Sequence, residues 1–148
     1  DPSQPLGFLR GAASDRADRH AESSPLTRIK TSADLDTQLA RATAAGRPVM
    51  LDFYADWCVS CKELEKYTFP DPAVRNELGK VIALQADVTA MDADDQALMQ
   101  RFGIIGPPTI VFFAADGSEQ PDYRVVGFMK AEAFAAHLRS AFARPADN

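Results

Sequence analysis

Cys58 and Cys61 are the only cysteines in the 148-residue chain, and they share one short phrase, Trp57-Cys58-Val59-Ser60-Cys61-Lys62. An apolar run precedes this phrase and a helix-compatible run follows it. Two thiols one helical turn apart can close into a disulfide and reopen with little chain movement. At a helix N-terminus, unsatisfied backbone N–H groups and the helix dipole also favour a thiolate. The chemistry that this pattern suggests is a two-electron redox switch. As a structural staple the pair would do little, because closing a four-residue loop is worth only about 2 kcal/mol by chain entropy. A zinc site needs four ligands, and the only histidines, His20 and His137, belong to the N-terminal tail and the last predicted helix.

Two carboxylates could join the cysteines. Asp52 lies six residues before Cys58 and is the one polar intruder in the apolar run Pro48–Ala55. A carboxylate there must be paired, protonated or functional, because burying an isolated charge is costly. Glu65 lies seven residues after Cys58 and four after Cys61, spacings that put all three on about the same helical face. An exposed helix glutamate is also common without any role, and Lys62 reads equally well as a solvated helix lysine.

The surrounding elements must hold these groups in place. Leu26–Lys30 reads as a short edge strand, followed by a helix over 33–45 capped by Thr31 or Ser32, with Leu35, Leu39 and Ala42 on one face and Gly46 as its stop. Pro48–Ala55 suits a central strand buried on both faces. A helix is predicted from Cys58 through Lys66, ended by Pro70 and Pro72, with Asp71 capping a further segment at 72–79. Val81–Val88 is the next strand, and Asp92, Asp94 and Asp95 open a helix to Phe102. Thr109–Ala114 is another buried strand, Asp116-Gly117 a turn, Tyr123–Phe128 a paired strand and Lys130–Ala143 a closing helix. The stripe Phe134, Leu138, Phe142 in that helix reads as core packing. Strands and helices in this order imply an α/β fold, a mixed sheet covered by helices on both faces.

Composition bounds the rest. The length fits one domain, 46% of residues are hydrophobic, and no run approaches a membrane span. A net charge of −5 argues against a nucleic-acid footprint. Residues 1–25, rich in Asp, Arg, Ser, Ala and Pro, read as a disordered tail or linker. The chain opens on Asp1 without a signal-peptide pattern, so it reads as an excised or processed piece.

Strand, W-C-x-x-C-K, helix, a Pro-Thr strand start, hairpin and last helix resemble the thioredoxin fold over roughly residues 26–143. The phrases VMLDFYADWCVSCKELEKYTF, LQADVTAMDADD, GPPTIVFF and VVGFM closely resemble the C-terminal periplasmic domain of DsbD, the family of bacterial inner-membrane thiol:disulfide reductases. The resemblance implies a monomeric thioredoxin-like domain at 26–144 with short tails at 1–25 and 145–148. No cofactor is implied beyond a redox-active Cys58–Cys61 disulfide. Such a domain takes electrons from the membrane-embedded part of its own protein and passes them to an N-terminal periplasmic domain, a route that serves disulfide isomerases and cytochrome c maturation. A general or cytochrome-maturation thioredoxin, and a non-catalytic binding module that borrows the fold, are the competing readings.

The same resemblance assigns roles. Cys58, at the mouth of the helix, is the exposed nucleophile and Cys61 the shielded resolving thiol. Asp52 matches the acid that lies beneath the cysteines in thioredoxin-like proteins and assists proton transfer to the buried thiol; Glu65 matches an acidic position of the DsbD domain. Thioredoxin places a lysine on the neighbouring strand, and VIALQADV has none. Without that cation, the two carboxylates should raise each other's pKa and that of Cys58, leaving it mostly thiol at neutral pH. Val59-Ser60 lacks the His of oxidising relatives and the Pro of thioredoxin, which fits an electron donor. Pro108 matches the cis-proline position, and Pro107 before it has no N–H to offer a docking peptide, which leaves its carbonyl and side-chain packing. Trp57 and Phe128 are placed at the active-site rim, with Phe128 also readable as core, and Gly127 beside it as a gap for an approaching partner.

Overall fold

The apolar runs at 49–54, 82–87 and 109–113 pair into the middle of a five-stranded sheet in a computed structural model that describes residues 24–143. The tails predicted at 1–25 and 145–148 fall outside the described residues, apart from Ser24 and Pro25. In chain order the elements are β1 (Thr27–Ile29), α1 (Ser32–Ala45), β2 (Val49–Tyr54), α2 (Val59–Glu63), a π-helical turn (Leu64–Thr68), α3 (Pro72–Leu78), β3 (Ile82–Asp87), α4 (Ala93–Arg101), β4 (Thr109–Phe113), a 3₁₀ turn (Pro121–Tyr123), β5 (Val125–Val126) and α5 (Ala131–Ala143). The sheet order is β1-β3-β2-β4-β5. The first three strands run parallel and the last two join antiparallel, so the sheet is mixed, as in the thioredoxin fold.

Two cores lie on opposite faces of the sheet, which the period-2 alternation of strand side chains keeps apart. Val49, Leu51 and Phe53 of β2 pack with Leu35 and Ala42 of α1 and Leu98 and Met99 of α4, and both cysteines join this cluster. Met50 packs on the other face with Leu64, Phe69, Val74 of α3 and Phe134 and Leu138 of α5. The α5 stripe is therefore core, with Phe134 and Leu138 fully buried and Phe142 partly so.

Strand register fixes a feature that sequence order hides. Arg28 pairs with Gln85, Gln85 with Asp52, Asp52 with Ile110 and Ile110 with Val125. One residue from each strand thus forms a single row across the sheet, on the same face as Met50.

Two element boundaries differ from the sequence reading. The helix after the cysteines does not stop at Lys66; it widens into the π turn, where Phe69 N–H donates to Leu64 O at 2.8 Å. Thr68 anchors that turn by donating to Met129 O at 2.6 Å. The strand expected at Tyr123–Phe128 shrinks to Val125–Val126 because Pro121 starts a 3₁₀ turn before it and Gly127 turns the chain after it. Gly127 has φ +91°, and a Cβ added there would meet nothing within 4 Å. The positive φ by itself favours glycine at this position.

Candidate active site

β2 ends at Tyr54, and the chain turns at once: Cys58 N–H donates to Ala55 O at 3.1 Å. Cys58 then takes an extended conformation as the N-cap of α2, and its sulfur accepts the Cys61 backbone N–H at 3.1 Å. The helix start thereby places one orphan N–H on the sulfur that would carry charge in a reduced pair. The two cysteines form a disulfide with Cα atoms 5.2 Å apart. Cys61 is 2% exposed, as expected of a resolving thiol, but Cys58 is only 7% exposed. The expectation of an openly exposed nucleophile is corrected: Cys58 packs into the same cluster as Tyr54 and Ala55, so a partner reaches only its edge.

The turn before the motif is held by residues that the sequence reading passed over. Thr89 accepts from Asp56 N–H through its hydroxyl at 2.8 Å and from the Trp57 indole N–H through its carbonyl at 3.1 Å. Lys62 donates to the Tyr54 hydroxyl at 2.7 Å, which donates in turn to Asp56 at 2.9 Å; Lys62 therefore braces the turn. With its N–H tied back, the Trp57 ring stays 57% exposed beside Val59 at 74%, while Ser60 between the cysteines is half-buried.

Asp52 is 2% exposed. Its Oδ2 accepts from the Gln85 amide at 2.9 Å, and the same nitrogen donates to Glu65 Oε2 at 3.2 Å. The Asp52 Oδ1 atom is buried without a hydrogen-bond partner among the described residues. Burial pushes the Asp52 carboxyl up to about 8, Glu65 adds to the rise, and the Gln85 hydrogen bond and the Arg28 charge oppose it. Burial thus biases the Asp52 carboxyl toward its protonated form. Glu65, expected on the cysteine face by α-helical spacing, sits in the π turn and meets Asp52 through Gln85. A cation does reach the carboxylates, although from a strand further out than the one read in the sequence. None lies on the adjacent strand, but Arg28 on β1 reaches the group by donating to Gln85 Oε1 at 2.6 Å. Sequence could not show this, because the partnership runs across strand register.

The Pro107–Pro108 peptide is cis, and Pro108 O accepts from Gly127 N–H at 3.0 Å, which fixes the end of β5 against it. Pro107 lines a groove of about 420 Å³ with Ile104, Ile105, Arg124 and Val126. Ile105 is fully exposed, Val126 78% and Phe128 43%, so Phe128 is a surface residue and not core. Among the described residues, no group of three or more His, Cys, Asp or Glu could hold a metal ion.

The chain thus combines a disulfide at a helix N-cap, a buried acid bridged to Glu65 through Gln85, and a cis proline before β4. A thioredoxin-like domain family matches residues 35–142. The structure superposes on the oxidised C-terminal domain of DsbD from Neisseria meningitidis with a TM-score of 0.69 and 35% identity, over 78% of this chain and 99% of that one. The chain belongs to the thioredoxin-like family, among the DsbD C-terminal domains. The reduced form of the Neisseria domain matches with a TM-score of 0.67 and the same 35% identity, over 76% of this chain and 99% of that one. The thiol:disulfide interchange protein DsbD of Ralstonia nicotianae is 54% identical over 142 residues, which is 95% of this chain and 23% of that protein. That of Escherichia coli K12 is 56% identical over 113 residues, 76% of this chain and 20% of the protein. The chain thus spans about a quarter or less of these relatives. No helix among the described residues is long and apolar enough to cross a membrane.

Trp57 leaves its aromatic surface exposed one residue before Cys58, and a docking role for it makes a testable prediction. Trp57→Ala should slow reduction of a protein disulfide about tenfold while leaving reaction with a small disulfide within twofold. Stopped-flow tryptophan-independent assays with both substrates check this, and an equal loss on both would mean that Trp57 serves only the turn.

Proposed function

We propose that this domain is a thiol:disulfide oxidoreductase working as a reductant, relaying electrons from a membrane-embedded donor domain of its own protein to a periplasmic acceptor domain. The observation that carries the reading is the Cys58–Cys61 disulfide at the N-cap of α2, with the Cys61 N–H on the Cys58 sulfur. In the reduced state, the Cys58 thiolate attacks one sulfur of the partner disulfide. That S–S bond breaks, a mixed disulfide forms, and the other partner sulfur leaves as a thiolate and takes a proton. Cys61 then loses its proton and attacks Cys58, the mixed disulfide breaks, and the second partner thiol is released. The domain has lost two electrons and two protons, and the partner has gained them. A donor dithiol reverses both steps to reload the domain.

Asp52 serves the second half-reaction through its ionised fraction: the carboxylate, having released its proton toward solvent through Glu65, accepts the proton of buried Cys61 and returns it on reduction. A carboxyl that titrates near 8 in the oxidised domain suits that exchange better than an ordinary aspartate, because proton transfer is most effective between groups of similar pKa. Glu65, sharing the Gln85 amide and half-buried, would connect Asp52 to solvent. An Asp52 biased toward its protonated form adds less negative charge to the site. The guarding of Cys58 then rests more on its burial than on paired anions. Residues 1–25 serve in this reading as the linker to the rest of the protein.

The test is electron transfer from the reduced domain to a separately expressed acceptor domain, compared with transfer to insulin. Fast transfer to the acceptor and slow reduction of insulin supports the relay; equal rates support a general reductase. Docking should use the groove beside Pro107. Pro107→Leu restores an N–H at that edge and should change the transfer rate to the acceptor by about threefold or more. Unchanged kinetics would show that the edge is not used.

A further inference from the structure

Gln85 is a neutral amide between two carboxyl groups on one side and a guanidinium on the other. Its side chain could lie in either of two orientations related by a half-turn. In one, the NH₂ group faces Asp52 and Glu65; in the other, the amide oxygen faces them. The observed orientation uses every polar atom of the amide. Oε1 accepts from Arg28 Nε at 2.6 Å, and Nε2 donates to Asp52 at 2.9 Å and Glu65 at 3.2 Å.

Arg28 is itself immobilised, although its side chain is 54% exposed. Its Nη1 donates to Asp87 Oδ2 at 3.0 Å, and its Cζ lies 5.3 Å from the centre of the Tyr54 ring. The other Asp87 oxygen accepts from the Thr89 backbone N–H at 2.9 Å and from its hydroxyl. A guanidinium has no acceptor atom. A flipped Gln85 would therefore set donor against donor at Arg28 and oxygen against oxygen at Glu65.

We propose that Arg28, on the edge strand β1, is a positioning residue for the redox centre: by donating to Gln85 Oε1 it fixes the amide so that a single NH₂ group bridges Asp52 and Glu65. The inference rests on the proposed role of Asp52 in proton transfer. The charged and titratable groups that face Asp52 are Glu65 from the π turn and Arg28 from β1 through Gln85; β4 contributes Ile110 to the row. Asp87 is neutralised locally by Arg28.

Two readouts on the full oxidised chain test the proposal. In Arg28→Met, the titration midpoint of the Asp52 carboxyl carbon, followed by NMR, should rise by about half a pH unit or more, because a donor and a cation that favour the carboxylate are both weakened. The Gln85 side-chain NH₂ hydrogens should exchange with water about tenfold faster. In a Gln85→Leu background, Arg28→Met should move the Asp52 midpoint by less than half as much. An unchanged midpoint in Arg28→Met overturns the proposal, as does an equal shift in both backgrounds, which would make Arg28 a distant charge and nothing more. Unchanged NH₂ exchange also overturns it. If instead Asp52→Asn leaves the pH profile of disulfide exchange untouched, the proton-transfer role fails while the Arg28 outcomes still stand or fall separately.

Discussion

Cys61→Ala should convert the domain from a reagent that turns over into one that captures. Reduced Cys58 can still attack a partner disulfide, but no second thiol remains to displace it, so the mixed disulfide persists. Multiple-turnover reduction of the acceptor domain should fall at least about a thousandfold, with a stoichiometric covalent complex visible on a non-reducing gel. Cys58→Ser should lose turnover to the same degree and trap nothing, because Cys61 is 2% exposed and out of a partner's reach. Equal trapping by both variants would reverse the assignment of nucleophile and resolving thiol. Identifying the trapped protein in cells also separates the relay from a general reductase: one dominant partner supports the first and a broad set the second.

Most of the fold was legible because its signals are local. The thirteen-residue helix α5 shows its buried stripe in sequence, Thr31 and Gly46 bracket α1 as cap and stop, and the apolar runs at β2 and β4 are too continuous for anything but buried strands. The cysteine pair and the Pro107–Pro108 pair were equally plain. What sequence did not show depends on geometry between elements. Gln85 and Arg28 carry no motif, and their relation to Asp52 exists only once three strands are set in register. Thr89 looks like an ordinary loop residue until the 56–57 turn is seen resting on it. The π turn that carries Glu65 adds a residue to one helical turn, and period-3.6 reasoning cannot anticipate such a widening. The supporting layer of the site, more than its reacting atoms, is where the structure adds information.

Asp52→Asn should stabilise the oxidised domain in alkaline solution and much less in acid. The carboxyl titrates at an ordinary 3.8 when unfolded and near 8 when folded, so the folded state holds its proton over a range where the unfolded state has released it. Below about pH 4 both states are protonated, and the buried acid costs the fold no ionisation energy. Between about 4 and 8 the unfolded chain is increasingly favoured by ionising freely, and above 8 that loss of stability is complete. Asparagine cannot ionise and escapes the loss. It also places an NH₂ group where Asp52 Oδ1 now lacks a partner among the described residues, a cost of about 1–3 kcal/mol that does not vary with pH. The quantity to measure is therefore the difference between two pH values. Urea unfolding with the disulfide intact should show Asp52→Asn gaining about 2–4 kcal/mol relative to wild type between pH 4 and pH 8. A pH-independent effect would mean that Asp52 is charged in the fold. The same substitution removes the proton acceptor for Cys61, so release of the mixed disulfide at pH 7 should slow about tenfold or more. A domain that becomes more stable and a poorer catalyst through the loss of one ionisable group would tie both effects to the buried carboxyl, a trade of stability for activity.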